Sequence, residues 1–440
     1  MDAFTSFVLE NAHAEAADLL LRVKAWPAPE DPLLSDLDPK SLAVHTVTAR
    51  RKLERKLPGW HACPGLVYPT SLCAEQCSSA PTAARKAALV RRILADRSGG
   101  RVADLTGGLG VDAVAFSSVC EAVLYNERDA SLAAAARHNF PLLGARNITV
   151  RNLSLQPGGL AEVLDGFTPD LIYLDPARRD DGGKKVFLLE DCSPDVLPLL
   201  PELLAAAPHV LLKLSPMADL TMVAERLSRA MEPYYEAAGA WRTGSPREIH
   251  AVSREGECRE LLVWLDRGYA GPTTVVCAED DAEVSFSSDE LSSARARLPE
   301  APYGTLLFEP GKSLLKAGAA NALCTRYPLV KLARFTHLFF ADGLDAAGLT
   351  ALAPMGKFFT VKAILPFSKA SMREVRDRFP RADVSARNLP LSSDELRARL
   401  GLVSGGGLHV FGVRIDMPHA SEKYLVVGER KKLSALLADS

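Results

Sequence analysis

No run of apolar residues in this 440-residue chain approaches the roughly 20 that a membrane-spanning helix needs. The first ten residues carry Asp2 and Glu10 and no cationic start, so a cleaved secretory leader is not expected. An excess of charge of either sign is also lacking. The 52 Lys and Arg residues face 54 Asp and Glu, a net charge of −2 that excludes a globally basic binder but allows a local basic face. Cysteine is sparse. Eight residues scattered along the chain do not make a disulfide framework, and reduced thiols in a cytoplasmic protein are the expectation. His61, Cys63, Cys73 and Cys77 match no common zinc-pair spacing, so no metal site is expected. Gly311-Lys312-Ser313 looks like the end of a phosphate loop, but Leu306 stands where the first glycine belongs. The chain has no internal repeat and no low-complexity tract.

What remains, 48% hydrophobic and 24% charged residues, is ordinary for a globular protein of more than one domain. The pattern divides into four parts. Residues 1–95 read as mainly helical, with helical spacing over Phe4–Val23 stopped by Trp26-Pro27-Ala28-Pro29. Residues 96–267 alternate strand and helix signals, which predicts an α/β, Rossmann-like, doubly wound sheet of seven strands. These strands are expected at 101–104, 122–126, 148–151, 171–175, 209–214, 247–253 and 258–265. A Gly- and Pro-rich linker leads to a small α+β part, 274–345, and then to 346–440. The last part contains a strand at 358–365, a helix at 371–379 and a capping box, Ser392-x-x-Glu395.

The chemistry concentrates in the second part. Residues 102–112 read Val-Ala-Asp-Leu-Thr-Gly-Gly-Leu-Gly-Val-Asp: a strand, a glycine turn and a helix start. Asp104, at the strand end, can meet an ammonium. Thr106, Gly107, Gly108 and Gly110 let a ligand approach the backbone, and the helix start favours anions. A glycine turn alone also fits a dinucleotide fingerprint, so an NAD-dependent dehydrogenase is one alternative. Glu127 closes the next strand, about 20 residues after the first glycine, where an acid can accept two ribose hydroxyls; Arg128 adjoins it and Asp129 is its competitor. After the third strand, Asn152 or Ser154 can meet an adenine. After the fourth comes Asp175-Pro176-Ala177-Arg178-Arg179. A carboxylate and a proline carbonyl can accept both hydrogens of an exocyclic amine and aim its lone pair. Arg178 and Arg179 can stack on a base or hold phosphate, or can pair with Asp180 and Asp181 on the surface.

Turn, ribose acid and Asp-Pro together resemble a class I S-adenosylmethionine (SAM) methyltransferase. The resemblance narrows to a bacterial group of such enzymes with a ferredoxin-like insert and a C-terminal THUMP-like domain. Glu75-Gln76-Cys77-Ser78-Ser79 with Thr82 and Lys86 carries it, as do Leu174–Arg179, Leu212-Lys213-Leu214-Ser215-Pro216 and Glu257–Leu262. Further on, Glu309-Pro310 with Ser313–Ala319 resembles the insert, and Arg387-Asn388-Leu389-Pro390-Leu391 the terminal domain. The likeness spans most of residues 60–430, and the core is also similar to RNA guanine-N2 methyltransferases, including trimethylguanosine synthase. It implies SAM as cofactor, contacts from Gln76, Ser78 and Lys86, and substrate contacts from Lys213 beside Arg178 and Arg179. In the usual amino-methyltransferase motif a second proline and an aromatic follow Asp-Pro; here Ala177 and Arg178 stand there, so a stacking platform is absent at that place.

The resulting expectation is a SAM-dependent methyltransferase acting on RNA at an exocyclic nitrogen, guanine N2 favoured, with Asp175 and Pro176 as its catalytic centre. An RNA-binding protein with a non-catalytic methyltransferase core is the other alternative. Residues 351–440 hold 15 Lys or Arg against 9 Asp or Glu, a basic surplus suited to phosphate. Arg50, Arg51, Lys52, Arg55 and Lys56 form a second basic cluster that reads either as a phosphate patch or as a solvated helix face.

Overall fold

A computed structural model of the protein describes residues 1–95, 99–178, 189–239 and 244–439, without the side chains of Arg178 and Asp439. The chain forms two compact units, Met1–Pro246 with Val263–Ala270, and Arg247–Leu262 with Gly271–Ser440.

The first unit opens with helices. The apolar spacing over Phe4–Val23 is realised as two helices, Ala3–Glu10 and Ala16–Arg22, instead of one. Asn11 causes the break. Its side-chain amide donates to the Phe7 carbonyl at 2.8 Å, so the helix is capped there instead of continuing. The long helix Pro39–Lys56 starts with Asp38 as cap and Pro39 at its first turn. Its basic cluster is largely committed internally. Arg50 donates to the His61 and Cys63 carbonyls, Arg51 pairs with Glu15, Lys52 pairs with Glu75, and Lys56 donates to the Ala74 carbonyl.

The sheet of this unit comprises β1 (Arg101–Asp104), β2 (Ala122–Asn126), β3 (Ile148–Arg151), β4 (Leu171–Leu174) and β5 (His209–Leu214). All neighbours are parallel, in the order β3-β2-β1-β4-β5. β4 is buried along its whole length, as an apolar run covered on both faces requires. Each of these strands stands where the sequence pattern puts it, except that the fourth ends one residue earlier, at Leu174. Two further expected strands are also present, at Glu248–Arg254 and Glu257–Asp266.

In the second unit, Glu248–Arg254 pairs in parallel with Thr274–Glu279, which pairs antiparallel with Ala282–Ser287. A seven-stranded sheet follows. It runs Val330–Ala333, Thr336–Phe340, Leu306–Pro310, Gly356–Pro366, Ala420–Lys431, Leu408–Met417, Asp383–Arg387. It curls enough that its two flanks touch: Thr336 Oγ1 donates to the Arg414 carbonyl at 3.0 Å, and Arg334 N–H to Asp416 Oδ2 at 3.0 Å. Inside the curl, Leu307, Leu332, Leu338 and Phe340 share one apolar core with Phe359, Phe411, Val413 and Val426. The other face packs on helices Lys369–Arg378 and Ser393–Leu400, the latter opened by the expected Ser392–Glu395 capping box. The fragment Gly311-Lys312-Ser313 binds an internal anion. The backbone N–H and hydroxyl of Ser313 donate to Glu279 Oε2 at 3.0 and 2.7 Å. Among the described residues no helix is long and apolar enough to cross a membrane.

Candidate active site

Parallel pairing brings the carboxyl ends of β1, β2, β4 and β5 to one edge of the sheet, where ligands of open α/β sheets bind. Asp104 ends β1 and is 1% exposed; the Thr106 N–H donates to its Oδ1 at 3.2 Å. The glycine turn follows. Gly107 lies against Tyr125, where an added Cβ would sit 2.1 Å from the ring. Gly110 has φ +86°, caps helix Val111–Ser117 and would meet Phe140 at 2.5 Å. The turn therefore needs glycine for its own packing before any ligand is considered. The Tyr125 hydroxyl holds it by donating to the Gly108 carbonyl at 2.5 Å.

Glu127, just beyond β2, reaches back to the same turn. Its Oε2 accepts the Gly108 N–H at 2.8 Å and its Oε1 the Asp129 N–H at 2.8 Å. Asp129 is committed elsewhere, as the N-cap of helix Ala130–Leu142. Each carboxylate oxygen has a second lone pair, so both oxygens of Glu127 keep acceptor capacity. Arg128 is exposed and donates to Ser193 Oγ at 2.9 Å. Asn152 donates to the Glu127 carbonyl at 2.6 Å, fixing the loop after β3, while Ser154 is exposed beside Gln156. Buried Asn126, which sequence reasoning passed over, ties the ends of β1 and β3 together: it donates to Leu105 O and Leu153 O and accepts from Leu153 N–H.

Asp175 follows β4, and its N–H donates to Thr106 Oγ1 at 2.6 Å. The Asp-Pro loop is thus bonded directly to the glycine turn. The Asp175 carboxylate forms an ion pair with Lys213 of β5. Pro176 is buried and Ala177 exposed. Arg179 and the side chain of Arg178 lie outside the described residues.

The residues expected ahead of β1 divide. Gln76 is exposed at the end of its helix. Ser78 and Lys86 turn inward to Asp112, in the first turn of the helix after the glycines. The Lys86 ammonium, fully buried, lies 2.9 Å from Asp112 Oδ1 and 2.5 Å from Ser78 Oγ. Ser78 Oγ and the Tyr173 hydroxyl each donate to Asp112 Oδ2 at 2.9 Å. Burial would raise the Asp112 carboxyl, but the Lys86 and Lys213 cations and the hydrogen bonds from Lys86 and Tyr173 hold it below its ordinary value. Asp104 goes the other way. Burial first, and then the Asp112 anion, push its carboxyl well above the usual carboxylate range. Asp112 and Tyr173 also escaped the sequence reading. The one available signal was an acid set between Val111 and Ala113 at an apolar helix start.

A parallel sheet with a glycine turn after its first strand, an acid after the second and Asp-Pro after the fourth defines a class I methyltransferase core. Comparison with known proteins makes the family specific. Residues 356–430 match a family described as THUMP domain-like, and residues 306–347 a ferredoxin-like domain. A crystal structure from Porphyromonas gingivalis W83, assigned provisionally in its description as a methyltransferase, is 30% identical, with 97% of both chains covered and a TM-score of 0.79. Two Mycobacterium tuberculosis proteins, from strains CDC 1551 and H37Rv, are each described as an uncharacterized S-adenosylmethionine-dependent methyltransferase. Both are 27% identical over 377 residues, covering 84% of this chain and 92% of theirs. The chain belongs to this family of class I SAM-dependent methyltransferases with ferredoxin-like and THUMP-like segments, and SAM is its cofactor.

Proposed function

We propose that this methyltransferase modifies an exocyclic nitrogen of an RNA base in the cytoplasm, with guanine N2 favoured. The observation that carries the reading is the bond from Asp175 N–H to Thr106 Oγ1, which couples an Asp-Pro acceptor pair to the glycine turn. Asp104 takes the cofactor's ammonium, Glu127 its ribose hydroxyls, and the turn its backbone contacts. Bound SAM supplies an electrophilic methyl group. Asp175 and the Pro176 carbonyl accept the hydrogens of the target amine and hold its lone pair toward that methyl, so positioning is the main catalytic device. The methylated cation sheds its proton readily, and no strong base is required. The preference for guanine N2 rests on the resemblance of the core to enzymes of that specificity. RNA as substrate is supported by the THUMP-like segment and by exposed Lys369, Arg373, Arg381 and Arg399.

A non-catalytic, RNA-binding core has one observation in its favour. Lys213 already occupies the Asp175 carboxylate. Tritium transfer from labelled SAM to RNA of cells lacking the protein separates the two readings. Asp175→Ala is expected to abolish transfer and spare SAM binding. Asp175→Asn should retain more activity, because its amide oxygen still accepts a hydrogen bond. Transfer by the Ala variant at the wild-type rate, or label on a ring carbon, rejects the mechanism. Absence of transfer by the wild-type protein, with RNA still bound, supports the binding module.

A further inference from the structure

Asp104 and Asp112 are two buried carboxylates on consecutive elements, and the protein gives them unequal company. Asp112 has a fully buried ammonium from Lys86 and two hydroxyl donors, Ser78 and Tyr173. Asp104, 1% exposed, accepts from the backbone of Thr106 and has no ion pair among the described residues. Tyr173, whose hydroxyl donates to Asp112, is the register partner of Asp104 on β4, and the charged groups around Asp104 are mostly of its own sign: Asp112 on the following helix, Asp175 after β4 and Glu127 after β2. The nearby cations are engaged, Lys213 with Asp175 and Lys86 with Asp112. Such a carboxyl is incomplete without an incoming cation.

We propose that Asp112 sets the pH dependence of cofactor capture: Lys86, Ser78 and Tyr173 fix it as an anion near Asp104, and its charge couples arrival of the cofactor's ammonium to departure of one proton from Asp104. The inference rests on the reading that Asp104 meets that ammonium. In the empty site the Asp104 carboxyl keeps its proton to higher pH than an ordinary carboxyl, because burial and the Asp112 anion both disfavour a second negative charge. When the ammonium arrives, Asp104 becomes a carboxylate paired with it, and the proton leaves to solvent. No other bond changes. Affinity therefore rises with pH up to the point where Asp104 ionises in the empty protein. On the acid side the limiting slope is about tenfold per pH unit.

The arrangement also explains why a buried lysine from the N-terminal helix Ala80–Ile93 is spent on Asp112. A cation on Asp104 itself would close the site. A cation on Asp112 keeps the neighbouring anion in place and leaves Asp104 for the ligand.

Calorimetry with S-adenosylhomocysteine, which carries the same ammonium, tests this on the full chain. Titrations in two buffers of different ionisation heat count the protons released. About one proton per ligand is expected in the acid-to-neutral range, and none for 5′-methylthioadenosine, which has the nucleoside without the amino acid. The paired substitution Lys86→Met with Asp112→Asn removes the anion together with its counter-cation. It should move the affinity profile toward acid by about one pH unit, which is about tenfold tighter binding than wild type on the acid limb. A purely structural role would weaken binding at every pH without moving the profile. If Asp104→Asn binds S-adenosylhomocysteine like wild type, the role of Asp104 falls. If Asp104→Asn loses binding while the wild type releases no proton, or the paired variant keeps the wild-type profile, the coupling falls and the role of Asp104 stands. The proton count needs no variant, so the inference stays falsifiable even if the paired variant fails to fold.

Discussion

Glu127 shows how one side chain can serve the protein and its ligand together. Both carboxylate oxygens are used on backbone N–H groups of Gly108 and Asp129, which holds the glycine turn in shape before the cofactor enters. The ribose is read by the capacity that is left. Glu127→Ala should therefore weaken SAM binding at least about tenfold, since each charge-assisted hydrogen bond contributes about 1.5–3 kcal/mol at most. Calorimetry on the folded variant checks this, and unchanged affinity would move the ribose site elsewhere. Legibility in the sequence differs sharply among these residues. Asp104, Glu127 and Asp175 stand out because each ends an apolar strand. Asn126, Asp112 and Tyr173 do not, because their roles come from partners 27, 34 and 61 residues away in the chain. Lys86 was singled out, but its direction was not visible. It is fully buried and pairs with Asp112.

Among elements, the core strands were the easiest to read. A parallel strand covered on both faces must be a short continuous apolar run, and turn residues bound it. The N-terminal helices were read less well, because Asn11 interrupts a pattern that is periodic throughout. The ferredoxin-like and THUMP-like segments present a different case. They match two separate families, yet their strands join edge to edge, through Leu306–Pro310 and Gly356–Pro366, in one curled sheet around one core. Phe359, 2% exposed, stands in that core with its ring 5.1 Å from Phe411 and Leu307 as its register partner. Phe359→Ala should cost about 3–5 kcal/mol, the usual range for emptying a buried aromatic site. Amide exchange should then show protection falling together at Leu307, Leu338 and Val426. Loss confined to the THUMP-like strands would mean that the two segments unfold independently.

For the molecule as a whole, the basic surplus at the C-terminal end is the feature to test. The N-terminal cluster around Arg50 is a weaker candidate for phosphate, since Arg50, Arg51, Lys52 and Lys56 all have partners inside the first unit. Exposed Arg373 and Arg399 belong to the two helices that cover the THUMP-like sheet. Arg373→Glu with Arg399→Glu should lower RNA affinity and flatten its salt dependence, while leaving SAM affinity in place. Filter binding across a salt series reads the slope. An unchanged slope would assign the RNA contact to other residues. The sequence by itself determined the parallel core, the glycine turn and the acids at the strand ends. All of these follow from short-range patterns: strand period, turn chemistry and the residue that ends each strand. Only the tertiary structure decided which carboxylate receives the buried lysine, that Asp175 is tied to Thr106 and paired with Lys213, and that two C-terminal segments share one core. Those outcomes depend on contacts between residues far apart in the chain, and no local pattern encodes which of several equivalent charges will be neighbours once the chain is packed.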